Sequence, residues 1–141
     1  MQTSKSQAVW CGSLKKGSGS MTVGTNKFTG QYSFGSRFED SEGTTPEELI
    51  AAAHAGCYSM ALAGMIGENG YEPKHVGTTA AVHLAAEGGG FSITKIDLMT
   101  EAQVEGMNKD AFQKLALDAK ENCPVSKALA GVEISLDATL L

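Results

Sequence analysis

The stretch 44-TTPEELIAAAHAGCYSMALAGMIGENG-70 decides the fold. Thr45 offers a hydroxyl for an N-cap, Pro46 suits the first helical position, and Glu47 and Glu48 face the positive end of a helix dipole. The segment runs unbroken to about Gly67–Gly70, roughly 23 residues or about 35 Å of helix at 1.5 Å per residue. Alanine and glycine leave it little side chain on any face. Gly56 and Gly64 would each cost about 1 kcal/mol against alanine in an isolated helix. They are tolerable where another backbone approaches closely, so the expectation is a long, buried central helix. His54, Ser59 and the two leading glutamates break its apolar character and argue against a membrane span.

Outward from this helix the chain reads as α+β. Residues 7–11, 20–25 and 31–34 are short, partly alternating runs separated by glycines, expected to form an N-terminal antiparallel meander. After the helix, 75–86 and 91–103 read as two strands joined at Glu87-Gly88-Gly89-Gly90, a β-hairpin. An amphipathic helix over 109–122 and a short one over 124–130 follow, and 132–141 closes the chain as a strand. No βαβ rhythm and no internal repeat is evident.

The 141 residues suit a single domain, 1–141, large enough to bury a core. Hydrophobic residues make up 42% and charged residues 19%, which excludes a disordered chain. A net charge of −5 without any Lys/Arg cluster argues against a nucleic-acid surface. The N-terminal MQTSKSQAVWCG has no apolar stretch of signal-peptide type. Three cysteines are too few for a secreted disulfide framework and too dispersed for a zinc site, so the expected compartment is the cytoplasm, with no metal. P-loop, G-x-S-x-G and dinucleotide fingerprints are missing.

The chemistry-bearing candidates are few. Cys57 lies mid-helix, where nothing local lowers a thiol pKa; it reads as an inert core residue unless a cation stands beside it. His54, three residues earlier on the same face, is one candidate partner. Cys123 precedes Pro124 at a helix junction, near an N-cap position where the dipole favours a thiolate, so local physics makes it the better nucleophile. If the two thiols met across the core, one could attack an oxidant and the other close a disulfide on it. Arg37 is the only arginine among eleven cationic residues; it is either a surface residue or the permanent cation a buried thiolate requires. Cys11 reads as structural. His75 and His83, eight residues apart on one strand, have no metal-ligand spacing.

Arg37-Phe38-Glu39, Thr45-Pro46-Glu47-Glu48-Leu49-Ile50, the run Ala53–Leu62 (AHAGCYSMAL) and Asn122-Cys123-Pro124-Val125-Ser126 together resemble the OsmC/Ohr family over nearly the whole chain. The AHAGCYSMAL run and the ITKIDL strand look more like the OsmC (osmotically inducible protein C) branch than the Ohr (organic hydroperoxide resistance) branch. Gly56 and Tyr58 stand where the family pattern has Ala and Phe. The resemblance implies a cofactor-free peroxidase of oxidative and osmotic stress defence that reduces organic hydroperoxides to alcohols. By motif, Cys57 is the peroxidatic thiol, Cys123 the resolving thiol that closes a Cys57–Cys123 disulfide, and Arg37 and Glu47 the activating pair. This reverses the local preference for Cys123 as nucleophile and gives His54 only a structural role.

The resemblance also implies a dithiol reductant of dihydrolipoyl type and an intertwined homodimer with shared active sites. Spacing agrees with sharing: Glu47 and Cys57 are ten residues apart, about 15 Å along one helix. Two other classes stay open at this stage. One is a thiol hydrolase or acyltransferase using Cys57 and His54; the other is a non-enzymatic dimeric stress or binding protein with buried thiols.

Overall fold

The computed structural model describes all residues, Met1–Leu141. They form two compact units, Met1–Glu48 and Leu49–Leu141. In the first, strands β1 (Gln7–Cys11), β2 (Ser18–Val23) and β3 (Phe28–Tyr32) make an antiparallel meander in that order. The register pairs Trp10 with Gly19 and Gly19 with Tyr32. The Trp10 and Tyr32 rings meet over this glycine at 5.3 Å. A Cβ on Gly19 would stand 2.7 Å from the tyrosine ring and 2.8 Å from the indole, so the aromatic pair demands glycine there.

β2 and β3 both begin earlier than the sequence reading placed them. Their turn is made by Gly24 and Asn26, both at positive φ, and Gly30, expected as a turn residue, lies inside β3. The short helix α1 (Phe34–Phe38) was not anticipated at all. Its signal is a capping box confined to two serines: Ser33 Oγ accepts from the Ser36 amide and Ser36 Oγ from the Ser33 amide.

Helix α2 (Pro46–Glu68) begins as expected, with Thr45 Oγ1 accepting the Glu48 amide at 3.0 Å. In the second unit its buried residues are His54, Tyr58, Leu62 and Ile66, one row at four-residue spacing. The opposite side, through Ala53, Gly56, Met60, Gly64 and Gly67, is exposed. No atom comes within 4 Å of where a Cβ on Gly56 or Gly64 would stand. The burial expected all round this helix is therefore one-sided within a single chain. By length and composition α2 would suffice to cross a membrane, but Tyr58, Leu62 and Ile66 belong to the core cluster with Ile96, Leu98 and Phe112.

β4 (Pro73–Glu87), β5 (Gly90–Val104) and β6 (Glu133–Leu140) form the second sheet, with β5 in the centre. Gly88 and Gly89, both at positive φ, close the β4–β5 hairpin where the sequence placed it. Ile96, Leu98, Thr100, Ala102 and Val104 alternate inward. Ile93 breaks the period because the pairing slips between His83↔Lys95 and Leu84↔Ile93, a bulge that takes up one residue of β5.

β6 pairs with β5 in parallel, which requires a crossover. Helices α3 (Lys109–Asn122) and α4 (Pro124–Ala128) supply it, so the chain does contain one βαβ unit that the sequence reading missed. Asn108 caps α3 through the Ala111 amide, and Phe112, Ala116 and Ala119 form its buried face.

Two polar links tie α2 into this core. Ser59 Oγ donates to Thr78 Oγ1 at 2.7 Å, and Thr78 and Thr100 share a hydroxyl bond at 2.9 Å. Tyr58 donates from its hydroxyl to the Ala116 carbonyl at 2.9 Å, and burial pushes its pKa above the ordinary phenol range. Replacing Tyr58 by Phe removes one buried hydrogen bond while keeping the ring. The expected loss is about 1 kcal/mol, read as a lower urea midpoint at unchanged slope; an unchanged midpoint would mean the hydroxyl contributes nothing net.

Candidate active site

The second unit brings Cys57 and Cys123 together although they lie 66 positions apart. α2 presents Cys57 one residue before buried Tyr58; the α3–α4 junction presents Cys123, which is fully buried. Both thiols are free, with Sγ atoms 3.1 Å apart sharing one hydrogen bond, which Cys123 donates in the dithiol. Cys123 terminates α3 and caps α4: its amide donates to the Ala119 carbonyl, and its sulfur accepts the Ser126 amide at 3.4 Å. Pro124 makes this junction by barring αR conformation at residue 123, whose ψ is 131°.

The two sulfurs are electrostatically unequal. Burial pushes the Cys57 thiol up, and its contact with Cys123 adds to this, against a smaller lowering by the Val125 backbone. Burial raises Cys123 too, but hydrogen bonds from the Ser126 amide, the Cys57 thiol, the Ser126 hydroxyl and the Val125 backbone together outweigh it and hold Cys123 below the ordinary cysteine value. Within this unit the thiolate is therefore favoured on Cys123 over Cys57. No cation in the unit acts on Cys57.

His54 does not serve Cys57 as a base. Its Nε2 lies 2.7 Å from Ser126 Oγ, its Nδ1 is buried without a partner, and burial lowers its pKa, so the ring is neutral. That leaves the Cys57–His54 hydrolase reading without a nucleophile–base hydrogen bond. Ser126 carried no assigned role in the sequence reading. Its position three residues after an N-cap was the available signal.

A His/Asp/Ser group sits on the sheet. Asp97 accepts from His83 Nε2 at 2.7 Å and, through its other oxygen, from Ser135 Oγ, and Lys95 lies at 3.2 Å. The Ser135 bond, first among these causes, helps bring Asp97 down to about 2. The serine proton goes to the carboxylate and not to the imidazole, so this is an ion cluster without the order of a catalytic triad.

The first unit holds Arg37 and Glu47. Arg37, in the last turn of α1, donates from Nε to Glu47 Oε1 at 3.1 Å and from Nη2 to the same oxygen at 2.5 Å. Glu47 is 7% exposed. The guanidinium also lies 5.4 Å from the centre of the Phe38 ring. Beside it opens a cleft of about 240 Å³ lined by Trp10, Leu14, Tyr32, Phe34 and Phe38. The pair presents a fixed cation next to apolar walls.

Residues 39–137 match the OsmC-like protein family. The chain belongs to the OsmC family. It is 46% identical over 137 residues to the Escherichia coli protein named peroxiredoxin OsmC, covering 96% of this chain and 95% of that one. An organic hydroperoxide resistance protein of Xanthomonas axonopodis pv. citri is 33% identical over 100 residues, 70% of this chain and 66% of that one. A solved OsmC-like protein of Mycoplasma pneumoniae has the same fold, with a TM-score of 0.77 over 99% of this chain and 98% of that one at 15% identity. Family membership and the α+β fold thus agree with the sequence reading.

The inequality of the two sulfurs is directly measurable. In a Cys11→Ser, Arg37→Met chain, which keeps both site thiols, the first thiolate is expected to form below the ordinary cysteine value, seen as ultraviolet thiolate absorbance rising at lower pH. Titration at or above that value would mean that burial outweighs the hydrogen bonds to Cys123.

Proposed function

We propose that this protein is a cysteine-based peroxidase that reduces organic hydroperoxides to alcohols, with Cys57 as the peroxidatic and Cys123 as the resolving residue. The observation that carries the reading is the 3.1 Å approach of two free thiols from distant parts of the chain. Once the hydroperoxide has taken two electrons from the site, a disulfide needs this distance to contract to about 2.05 Å. The names of the OsmC-family relatives point to the same reaction class.

The Cys57 thiolate attacks the distal peroxide oxygen; the S–O bond forms, the O–O bond breaks, and the departing alkoxide takes a proton to become the alcohol. Cys57 is left as a sulfenic acid. Cys123 then attacks that sulfur, the S–O bond breaks, and the hydroxide leaves as water with the proton Cys123 gives up. A small dithiol, of dihydrolipoyl type by family resemblance, reopens the disulfide by exchange.

Cys57 needs a cation that its own unit does not supply, and Arg37 fits that need. Glu47 fixes the guanidinium by paired hydrogen bonds, leaving its remaining N–H groups for the thiolate and the leaving oxygen. The aromatic cleft beside Arg37 suits an apolar tail, worth roughly 0.8 kcal/mol per buried CH₂, which hydrogen peroxide cannot collect. Cumene hydroperoxide should therefore turn over with higher kcat/KM than hydrogen peroxide in a dithiol-coupled assay. Arg37→Met should lower kcat/KM by about 10²–10³, the scale for losing one preorganised donor. Equal efficiency for both peroxides, or full activity without Arg37, would refute the assignment.

The active site is shared between two chains in this reading. Glu47 and Cys57 lie ten residues apart on α2, about 15 Å along its axis. The uncovered side of α2, with Met60 80% exposed between Gly56 and Gly64, suits an antiparallel second copy at close approach. Mixing inactive Cys57→Ser and Glu47→Ala chains should restore activity as heterodimers form with one intact site. Verified subunit exchange without recovery would refute sharing.

A further inference from the structure

His54 has no part in the peroxidase cycle as proposed, yet it is completely buried and holds a specific contact. It stands three residues before Cys57 on α2, and its partner Ser126 stands three residues after Cys123, on α4. The same two segments are thus bridged twice, one helical turn apart on each side: Cys57 to Cys123 at 3.1 Å, and His54 Nε2 to Ser126 Oγ at 2.7 Å. The imidazole leaves Nδ1 buried and unpaired, so the Ser126 contact is the one polar interaction this costly residue provides.

We infer that His54 is a positioning residue for the resolving step, holding Ser126 so that Cys123 returns to the Cys57 sulfur after oxidation. This rests on the Cys57–Cys123 reading above. The thiol bridge cannot keep the alignment by itself, because peroxide attack places an oxygen on Cys57 and displaces the Cys123 contact. The His54–Ser126 bridge contains no reacting atom and persists through that change. It also governs the Ser126 amide, which donates to the Cys123 sulfur and favours its thiolate. The step it serves is balanced within the site: Cys123 loses its proton, the S–S bond forms, the S–O bond of the sulfenic acid breaks, and water leaves.

The test follows two rates after one equivalent of cumene hydroperoxide, in a Cys11→Ser background. Dimedone trapping reads formation and decay of the Cys57 sulfenic acid, and mass spectrometry reads the Cys57–Cys123 disulfide. His54→Leu should prolong the sulfenic acid about ten- to hundredfold, the scale for misplacing a reacting pair by about an ångström, with the attack rate little changed. His54→Gln, whose amide can reach Ser126, should recover most of the resolving rate. Ser126→Ala removes the same bridge from the other side and should reproduce the His54→Leu delay, which keeps the test valid if the histidine variant fails to fold. Resolution at the parent rate in both bridge variants, or attack and resolution falling in proportion, would overturn the inference. Failure of the peroxidase reading looks different: the parent chain itself would form neither sulfenic acid nor disulfide.

Discussion

A row of four side chains on α2, His54, Tyr58, Leu62 and Ile66, orients the second unit. Each is fully buried, and the four-residue spacing keeps them on one side of the helix. Tyr58 reaches the α3 backbone at Ala116, Leu62 and Ile66 join the apolar core with β5, and His54 reaches Ser126 on α4. Rotation of α2 by one residue would expose this row and carry Cys57 away from the α3–α4 junction. Packing in the apolar core and placement of the thiol are therefore one constraint.

The same constraint leaves the two thiols with different chemistry. Cys123 occupies a helix junction where its sulfur receives an amide, whereas Cys57 sits mid-helix and feels mainly desolvation. In the proposed cycle a peroxidatic Cys57 needs a positive charge close by, and Arg37 is the one arginine of the chain. That arginine is built with its own carboxylate in the first unit, where α1 and the first turn of α2 supply the two ends of the ion pair.

Hydroxyl groups knit the fold where apolar packing alone would leave freedom. Ser59, Thr78 and Thr100 pass hydrogen bonds from α2 into the central strand, ending on the Gly77 carbonyl. Tyr58 uses its hydroxyl in the same way. Buried hydroxyls of this kind contribute little net energy each, but they penalise every alternative packing that leaves them unpaired.

Local signals in the sequence determined the start of α2 at Thr45-Pro46, the Gly88-Gly89 hairpin, the extent of α3 and the interruption at Cys123-Pro124. Each rests on a side chain or dihedral preference acting within a few residues, so tertiary context had little to override. The capping box of α1 was equally local but confined to two serines, and the early starts of β2 and β3 depended on glycines that serve close approach as well as turning. Only the tertiary structure decided the parallel placement of β6 beside β5, because strand order is set by long-range packing. It also decided the pairing of Cys57 with Cys123, and of His54 with Ser126 rather than Cys57. Residues 66 and 72 positions apart acquire a distance only when the core closes around α2.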